Sequence, residues 1–352
     1  MIPVVRADGT PRERGLAVGR GLAEQIGRSV SFYERYFAAR EVDGAGIATL
    51  SAPFLAAAGR TVPDLVEVLR GMAEGADVAF DWLVAANVFE ELDPLVSPDA
   101  AAKERCTSFV SIGEDRALLG HTEQWMAGDL GCVGVVVDVP GNGEVAVVSP
   151  VVASWLPAVG ANAAGGAVSV MSLSAADDGE GVPRVLVSRH CLSARDRDDA
   201  VRRATLEPRS GGYAYLWAWA ADDPLVLETT ARSHAVVGSA GHANHYVDPG
   251  LASVASAPSA SSMSRFERIC ALVETGPPRE AGAAMALLAD HDSEPNTICR
   301  HPDPADGEEA DCVVFGMVVD LAARELWVAD GAPCEGKVER FSIDELLREV
   351  GS

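Results

Sequence analysis

Glu104-Arg105-Cys106-Thr107-Ser108-Phe109 marks a change of pattern in this chain of 352 residues. Before it the apolar residues fall at helical spacing; after it they fall in short β-branched runs. The polar, proline-containing stretch 97–105 reads as an exposed loop, and a cysteine stands where that loop meets the first strand. A free cysteine taken alone is most often a small buried apolar residue. At the head of a β layer, behind a long helical prologue, it also fits a self-cleaving precursor. A cut between Arg105 and Cys106 would make Cys106 a new N-terminus. Its α-amino group, with an ordinary pKa of about 7.7–8, is then a general base for its own thiol. Such a site needs no histidine, which suits a chain with seven histidines and no obvious Cys-His-Asn triad.

Upstream, residues 14–37 carry Leu16, Val18, Leu22, Ile26, Val30, Tyr33 and Phe37 near helical spacing, and 63–76 repeat the signal. A further short helix is expected over 81–92, with Asp81 as its N-cap. Downstream, strands are expected at 107–112, 117–121, 131–139, 144–148 and 165–171, with turns at 113–115 and 140–143. Helices are predicted at 183–192 and 196–204, and strands again at 212–218, 225–228 and 235–238. Two helices (262–274, 279–289), two strands (312–320, 325–329) and a short helix at 343–350 complete the chain. Helices and strands in separate blocks point to a layered α+β fold rather than alternating βαβ units. No G-x-G-x-x-G follows a strand, so a dinucleotide fold has no support. The glycine-rich stretch 15–21 lies inside a helical pattern and lacks the Lys-Ser/Thr ending of a phosphate loop.

Lys plus Arg number 28 and Asp plus Glu 52, a formal charge of −24. So negative a surface repels phosphate backbones and anionic lipid, so neither nucleic acid nor a membrane is expected as a partner. Hydrophobic residues make up 48% and charged residues 23%, the composition of a chain with a globular core. Seven scattered cysteines without a C-x-x-C pair argue against a disulfide framework. Residues 1–14 have no apolar signal core, and no apolar run is long enough for a transmembrane helix. A reduced, cytoplasmic setting is expected.

Several segments taken in order resemble one family. Cys-Thr-Ser-Phe (106–109) is similar to its nucleophile motif, and Leu-Leu-Gly-His-Thr-Glu-Gln-Trp (118–125) to the strand that follows. Val-Gly-Ala-Asn-Ala-Ala-Gly-Gly-Ala-Val (159–168) resembles its turn between two strands. Gly-His-Ala-Asn-His-Tyr (241–246) and Asp-His-Asp-Ser-Glu-Pro-Asn-Thr-Ile-Cys-Arg-His (290–301) complete the set. In the prologue, Arg14-Gly15, the stretch 71–76 and Asn87 also fit. The family is the acyl-coenzyme A:6-aminopenicillanate (isopenicillin N) acyltransferase family of N-terminal-nucleophile cysteine hydrolases. It also holds β-alanyl-amine hydrolases, and His-Thr-Glu (121–123) is closest to that branch.

The resemblance implies a four-layer αββα sandwich, cut autocatalytically before Cys106. A helical prologue (1–105) and a catalytic part (106–352) would then form one domain, each the partner of the other fragment. It implies Cys106 as nucleophile and, through its new amine, as base. Asn244 would donate to the oxyanion, and Arg300 would meet a substrate carboxylate. Arg105 stands where the family has glycine before the nucleophile. The family's aspartate falls on Gln124, with Glu123 adjacent but pointing to the opposite face of a strand. Either Gln124 is a neutral hydrogen-bond partner or a register change brings Glu123 in. His121 and Trp125 are further candidates for the pocket. His242 and His245 read as scaffold, and Trp155, Trp217 and Trp219 as core. The acidic run 303–311 reads as a solvated loop.

His291, Asp292, Cys299, His301, Asp303 and Cys312 form the one group with metal-ligand character, yet no spacing matches a tetrahedral zinc signature. No metal and no cofactor is expected, and His291 and Asp292 read as capping the turn after helix 279–289. The favoured function is hydrolysis of a linear acyl or aminoacyl (β-alanyl-type) amide through an acyl-Cys106 intermediate. The negative charge favours a cationic substrate over a coenzyme A thioester, and a product of specialised metabolism fits. Acyl transfer through the same intermediate, a non-catalytic ligand-binding relative and a metal-dependent hydrolase are the alternatives.

Overall fold

The computed structural model describes residues 1–97, 105–114, 116–220 and 222–348. The prologue holds one strand, β1 (Val4–Gly9), and the helices α1 (Pro11–Gly21), α2 (Ala23–Ala38), α3 (Gly44–Thr61), α4 (Pro63–Ala76), α5 (Phe80–Asn87) and α6 (Phe89–Val96). Strands β2 (Thr107–Gly113), β3 (Arg116–Met126), β4 (Val133–Pro140), β5 (Val147–Val152), β6 (Gly160–Asn162) and β7 (Gly166–Leu173) follow. Then come α7 (Arg184–Leu192), α8 (Arg197–Ala204), β8 (Gly212–Trp219), β9 (Leu225–Thr229), β10 (His234–Val237) and β11 (Gly241–His242). The last elements are α9 (Ala260–Thr275), α10 (Ala281–Leu288), β12 (Asp311–Asp320), β13 (Glu325–Asp330), β14 (Val338–Ser342) and α11 (Ile343–Arg348).

The strands form an eight-stranded sheet in the order β1-β4-β5-β6-β7-β8-β9-β10 and a six-stranded sheet in the order β11-β2-β3-β12-β13-β14. Side-chain alternation along β2 and β3 builds the layers. Val110, Ala117, Leu119 and Trp125 point inward into the main core, where β2 and β3 meet β7 and β8. Phe109 and Leu118 point outward and pack with Ile269 and Val273 of α9 and Met285 and Leu288 of α10. On the far side of the larger sheet, α7 and α8 pack on β6, β7 and β9. The result is the expected αββα sandwich.

The prologue is joined to the sandwich through buried polar groups. Arg14 of α1 and Arg189 of α7 both pair with Asp138 of β4, all three buried. Asn87 donates to Ser154 O at 2.8 Å and accepts from the Leu156 amide at 2.8 Å. The glycine-rich stretch 15–21 has a packing role. Gly15 and Gly19 of α1 face Gly71 and Gly75 of α4, and a Cβ on Gly15 would lie 2.1 Å from the Val68 carbonyl oxygen. The small residues let two helix backbones touch.

Several boundaries differ from expectation. The helix expected over 14–37 divides at Leu22, and the one over 81–92 divides at Val88 and is capped at Ala79, with Asp81 in its first turn. Strand β1 and helix α3 were outside the expected set: β1 is a six-residue strand with a mixed face, and α3 is rich in Ala and Gly with Pro53 inside. The strand expected at 144–148 lies at Val147–Val152. Of the loop 97–105, residues 98–104 lie outside the described residues, as do Asp115 of the expected turn and the last residues of the C-terminal helix.

Candidate active site

Cys106 immediately precedes β2, and the β2–β3 register decides what faces it. Thr107 pairs with Thr122 and Ser108 with His121. Carried back one residue, that ladder sets Glu123 directly opposite Cys106 on the inward face. The Cys106 thiol donates to Glu123 Oε1 at 3.1 Å. Glu123 Oε2 lies 3.2 Å from His121 Nε2, and His121 Nδ1 lies 2.8 Å from Ser108 Oγ. Cysteine, carboxylate, imidazole and hydroxyl thus form one buried chain between the two sheets, with Cys106 packed among Met171, Leu173, Ala214 and Leu216. Burial first, and the Glu123 charge second, push the Cys106 thiol well above its ordinary value. In the continuous chain it is therefore a protonated thiol.

Of the two carboxylate-position alternatives, the geometry brings Glu123 to the sulfur and leaves Gln124 away from it. No slip within β2–β3 is needed, because facing alone selects Glu123. Gln124 points to the outer face and donates to Ile298 O at 2.7 Å and Thr297 O at 3.4 Å. Arg300 belongs to that same outer segment. Its carbonyl accepts from the Val313 amide at 2.9 Å, and its side chain lines neither cavity described below. Arg300, expected beside the nucleophile, is thus not among the residues that line the cavity of Cys106.

Arg265 of α9 is the arginine that reaches the cysteine. Fully buried, it donates to the Cys106 carbonyl, to Thr107 Oγ1 at 2.9 Å and to Asn244 Oδ1 at 3.1 Å. Asn244 Nδ2 donates to Ser172 O at 3.1 Å, and its backbone amide to Ser262 Oγ at 2.8 Å. Arg265 therefore fixes which way the Asn244 amide faces. It escaped the sequence reading because it lies more than a hundred residues from the cysteine. One signal was present: Arg265 falls in phase with the buried stripe Ser262, Ile269 and Val273, where a charge needs a partner.

Arg105 is buried, with Nε 2.9 Å from Asp311 Oδ1 and its guanidinium 4.9 Å over the Trp125 ring. Trp125 stacks edge-on with Trp155 at 4.9 Å. The indole N–H groups of both donate to Tyr33 Oη, at 2.9 and 3.1 Å, and Tyr33 donates to Asp129 at 2.9 Å. Cys106, Glu123, Asn244, Arg105, Trp125 and Glu90 line a small cavity of about 40 Å³. It shares Phe89, Glu90, Trp125 and Ser172 with a cavity of about 630 Å³, whose lining also holds Asp93, Glu180 and Arg184, the last paired with Glu91 and Asp178 of the same lining. His121 stands behind Glu123 and does not line either cavity.

A thiol at the head of a strand, a carboxylate on the sulfur and an oriented amide in one cavity are parts for acyl chemistry. Residues 112–333 match the family described as acyl-coenzyme A:6-aminopenicillanic acid acyl-transferase. The chain belongs to that family of acyl-transferring enzymes. No curated protein matches the chain. Among solved structures, penicillin V acylase from Agrobacterium tumefaciens is similar with a TM-score of 0.47 and 17% identity, over 70% of this chain and 90% of that one. A mutant of conjugated bile acid hydrolase from Clostridium perfringens is similar with a TM-score of 0.43 and 10% identity, over 69% of this chain and 94% of that one. Among the described residues no helix is long and apolar enough to cross a membrane.

Proposed function

We propose that the protein is an N-terminal cysteine hydrolase of a linear, cationic acyl or aminoacyl amide, matured by cleavage between Arg105 and Cys106. The observation that carries this is the placement of Cys106, a thiol one residue before β2, with Glu123 on its sulfur and Asn244 in the same cavity. In maturation, Glu123 takes the thiol proton as Sγ attacks the carbonyl carbon of Arg105, and the Cys106 nitrogen receives that proton and leaves as an amine, giving a thioester. Water hydrolyses the thioester, frees the carboxyl of Arg105 and restores the thiol.

The α-amine so formed is the base for turnover of the substrate. It takes the thiol proton, and the Glu123 carboxylate stabilises the resulting ammonium. The thiolate attacks the substrate carbonyl, and the Asn244 amide, oriented by Arg265, donates to the oxyanion. The ammonium returns its proton to the departing amine. Water then cleaves the acyl-Cys106 thioester and the acid leaves. Carboxylates outnumber the one arginine in the lining of the adjoining cavity, with Glu90 shared by the small one, which suits a substrate ammonium group.

Intact mass of the purified protein and product analysis on a panel of aminoacyl amides test this. Wild type should give two fragments meeting at Arg105/Cys106 and release free acid and amine. Cys106→Ala should stay a single chain of 36.7 kDa without activity. A wild-type chain that remains single, or a Cys106→Ala protein that turns over the panel normally, overturns the proposal.

A further inference from the structure

Away from the cysteine cavity, three separate segments bring two thiols and two imidazoles to one point. His291 follows α10, Cys299 and His301 precede β12, and Cys334 lies in the turn after β13. One ligand atom from each lies within 4.8 Å of all the others. His291 Nε2 is 3.2 Å from His301 Nε2, and His301 Nε2 is 3.1 Å from Cys334 Sγ. The two imidazole rings stack at 5.3 Å with 10° between their planes. We propose that His291, Cys299, His301 and Cys334 form a structural Zn²⁺ site.

The geometry favours a shared cation over a hydrogen-bonded cluster. His301 Nε2 carries at most one hydrogen, yet it faces a second ring nitrogen and a sulfur at contact distance. All three atoms are better used as lone-pair donors to one ion. A tetrahedral ion with Zn–N of about 2.0–2.1 Å and Zn–S of about 2.3 Å sets its ligand atoms roughly 3.3–3.8 Å apart. The contacts of 3.1 and 3.2 Å fall short of that range by a few tenths of an ångström, so a small outward adjustment admits the ion. Two thiolates and two imidazoles suit Zn²⁺ over the hard cations, and four protein ligands leave no open position, the mark of a structural site. His301 also has an outer partner: its Nδ1 lies 3.8 Å from Glu335 Oε1. A carboxylate near the second ring nitrogen leaves Nε2 as the nitrogen that faces the ion.

The sequence conceals this set because Cys334 lies more than thirty residues beyond His301. Asp292, Asp303 and Cys312, grouped with the histidines by sequence, go elsewhere. Asp292 pairs with Arg268 at 2.5 Å, Asp303 caps the turn at 304–309, and Cys312 faces the main core. The site would brace a segment that backs the cysteine cavity, since Thr297 and Ile298 supply the carbonyls that hold Gln124, next to Glu123. Metal binding releases the thiol protons of Cys299 and Cys334 to solvent.

The test uses the full chain, purified under reductant. Elemental analysis should find one zinc per chain. Exchange into Co²⁺ should give the intense d–d absorption of a tetrahedral ion together with a thiolate charge-transfer band. Cys334→Ser, a change at an exposed position, should remove both bands while far-ultraviolet circular dichroism stays native. Cys106→Ser should keep them, which separates this site from the Cys106, His121 and Glu123 group. Chelation should lower the thermal midpoint of wild type and leave that of Cys334→Ser unmoved. A wild-type chain that takes up no Co²⁺, bands that survive Cys334→Ser, or a Cys299–Cys334 disulfide under reductant overturns the proposal. None of these readouts depends on Cys106 chemistry, so this site and the hydrolase stand or fall separately.

Discussion

Glu123 faces Cys106 across the β2–β3 ladder, its Oε1 3.1 Å from the sulfur. A carboxylate there accepts the thiol proton and disfavours a free thiolate in the continuous chain. In the uncleaved chain, Glu123→Gln should therefore lower the pH at which Cys106 becomes reactive. The pH profile of iodoacetamide labelling, followed by mass spectrometry, should move to lower pH. Each tenfold drop in the thiol's proton affinity means about tenfold faster labelling at a fixed pH below its pKa. An unchanged profile would remove Glu123 from the control of the thiol.

Arg265 acts on the reaction through Asn244 and the Cys106 backbone. Arg265→Ala should reduce kcat by about 10²–10³, the loss found when an oxyanion donor is removed, with a smaller change in KM. Arg265→Lys should recover part of it, because an ammonium can reach one acceptor but cannot fork to several. Equal losses in kcat for both variants, with normal folding, would argue against this positioning role.

Glu90 lines both cavities and is raised above the ordinary carboxyl value by burial. Glu90→Gln should raise KM about tenfold for a cationic aminoacyl amide, a change equivalent to about 1.4 kcal/mol, and leave a neutral acyl amide unaffected. Parallel changes for both substrates would assign Glu90 to the fold through its bond from Tyr213.

The α1–α4 contact makes a stability prediction with an internal control. Gly15→Ala and Gly75→Ala place a Cβ 2.1 Å and 2.6 Å from backbone oxygens of the facing helix, and each should cost about 1–3 kcal/mol. Gly27→Ala and Gly59→Ala, where no atom lies within 4 Å, should be stabilising by about 0.4–1 kcal/mol. Thermal midpoints of the four variants decide it.

Asp129 carries a pH signature. Burial raises its carboxyl to about 7, against the hydrogen bonds it accepts from Ser29 and Tyr33. In the unfolded chain the same group titrates at about 3.9. Between those values the folded protein holds a proton that the unfolded chain has lost. The contribution to stability is thus complete below about pH 4 and is lost as pH rises through about 7. Thermal midpoints measured from about pH 5 to about pH 8 should fall more steeply for wild type than for Asp129→Asn.

The β half was largely legible in sequence, because Val-rich runs bounded by Gly, Pro and Asn declare strands locally. What distinguishes Glu123 from Gln124 is not local. Both sit on one strand, and only the pairing of β2 with β3 decides which faces Cys106. Arg265 and Cys334 were hidden for a related reason, since each reaches its partners through a return of the chain that spacing does not record. Strand β1 was missed because six residues with a mixed face carry too weak a pattern, and it is fixed by parallel pairing with β4.

Arg14, Asp138 and Arg189 form a buried ionic junction with one member before the Arg105–Cys106 bond and two after it. Its members assemble while they belong to a single polymer, when the effective concentration of one half near the other is high. After a cut at that bond, reassembly from the unfolded state would be bimolecular. Parting the halves would break the buried Arg14–Asp138 pair and leave Asp138 with Arg189 alone, a loss of several kcal/mol. The matured protein would therefore persist by slow unfolding more than by ready refolding. Its denaturation should show hysteresis that the Cys106→Ala chain lacks.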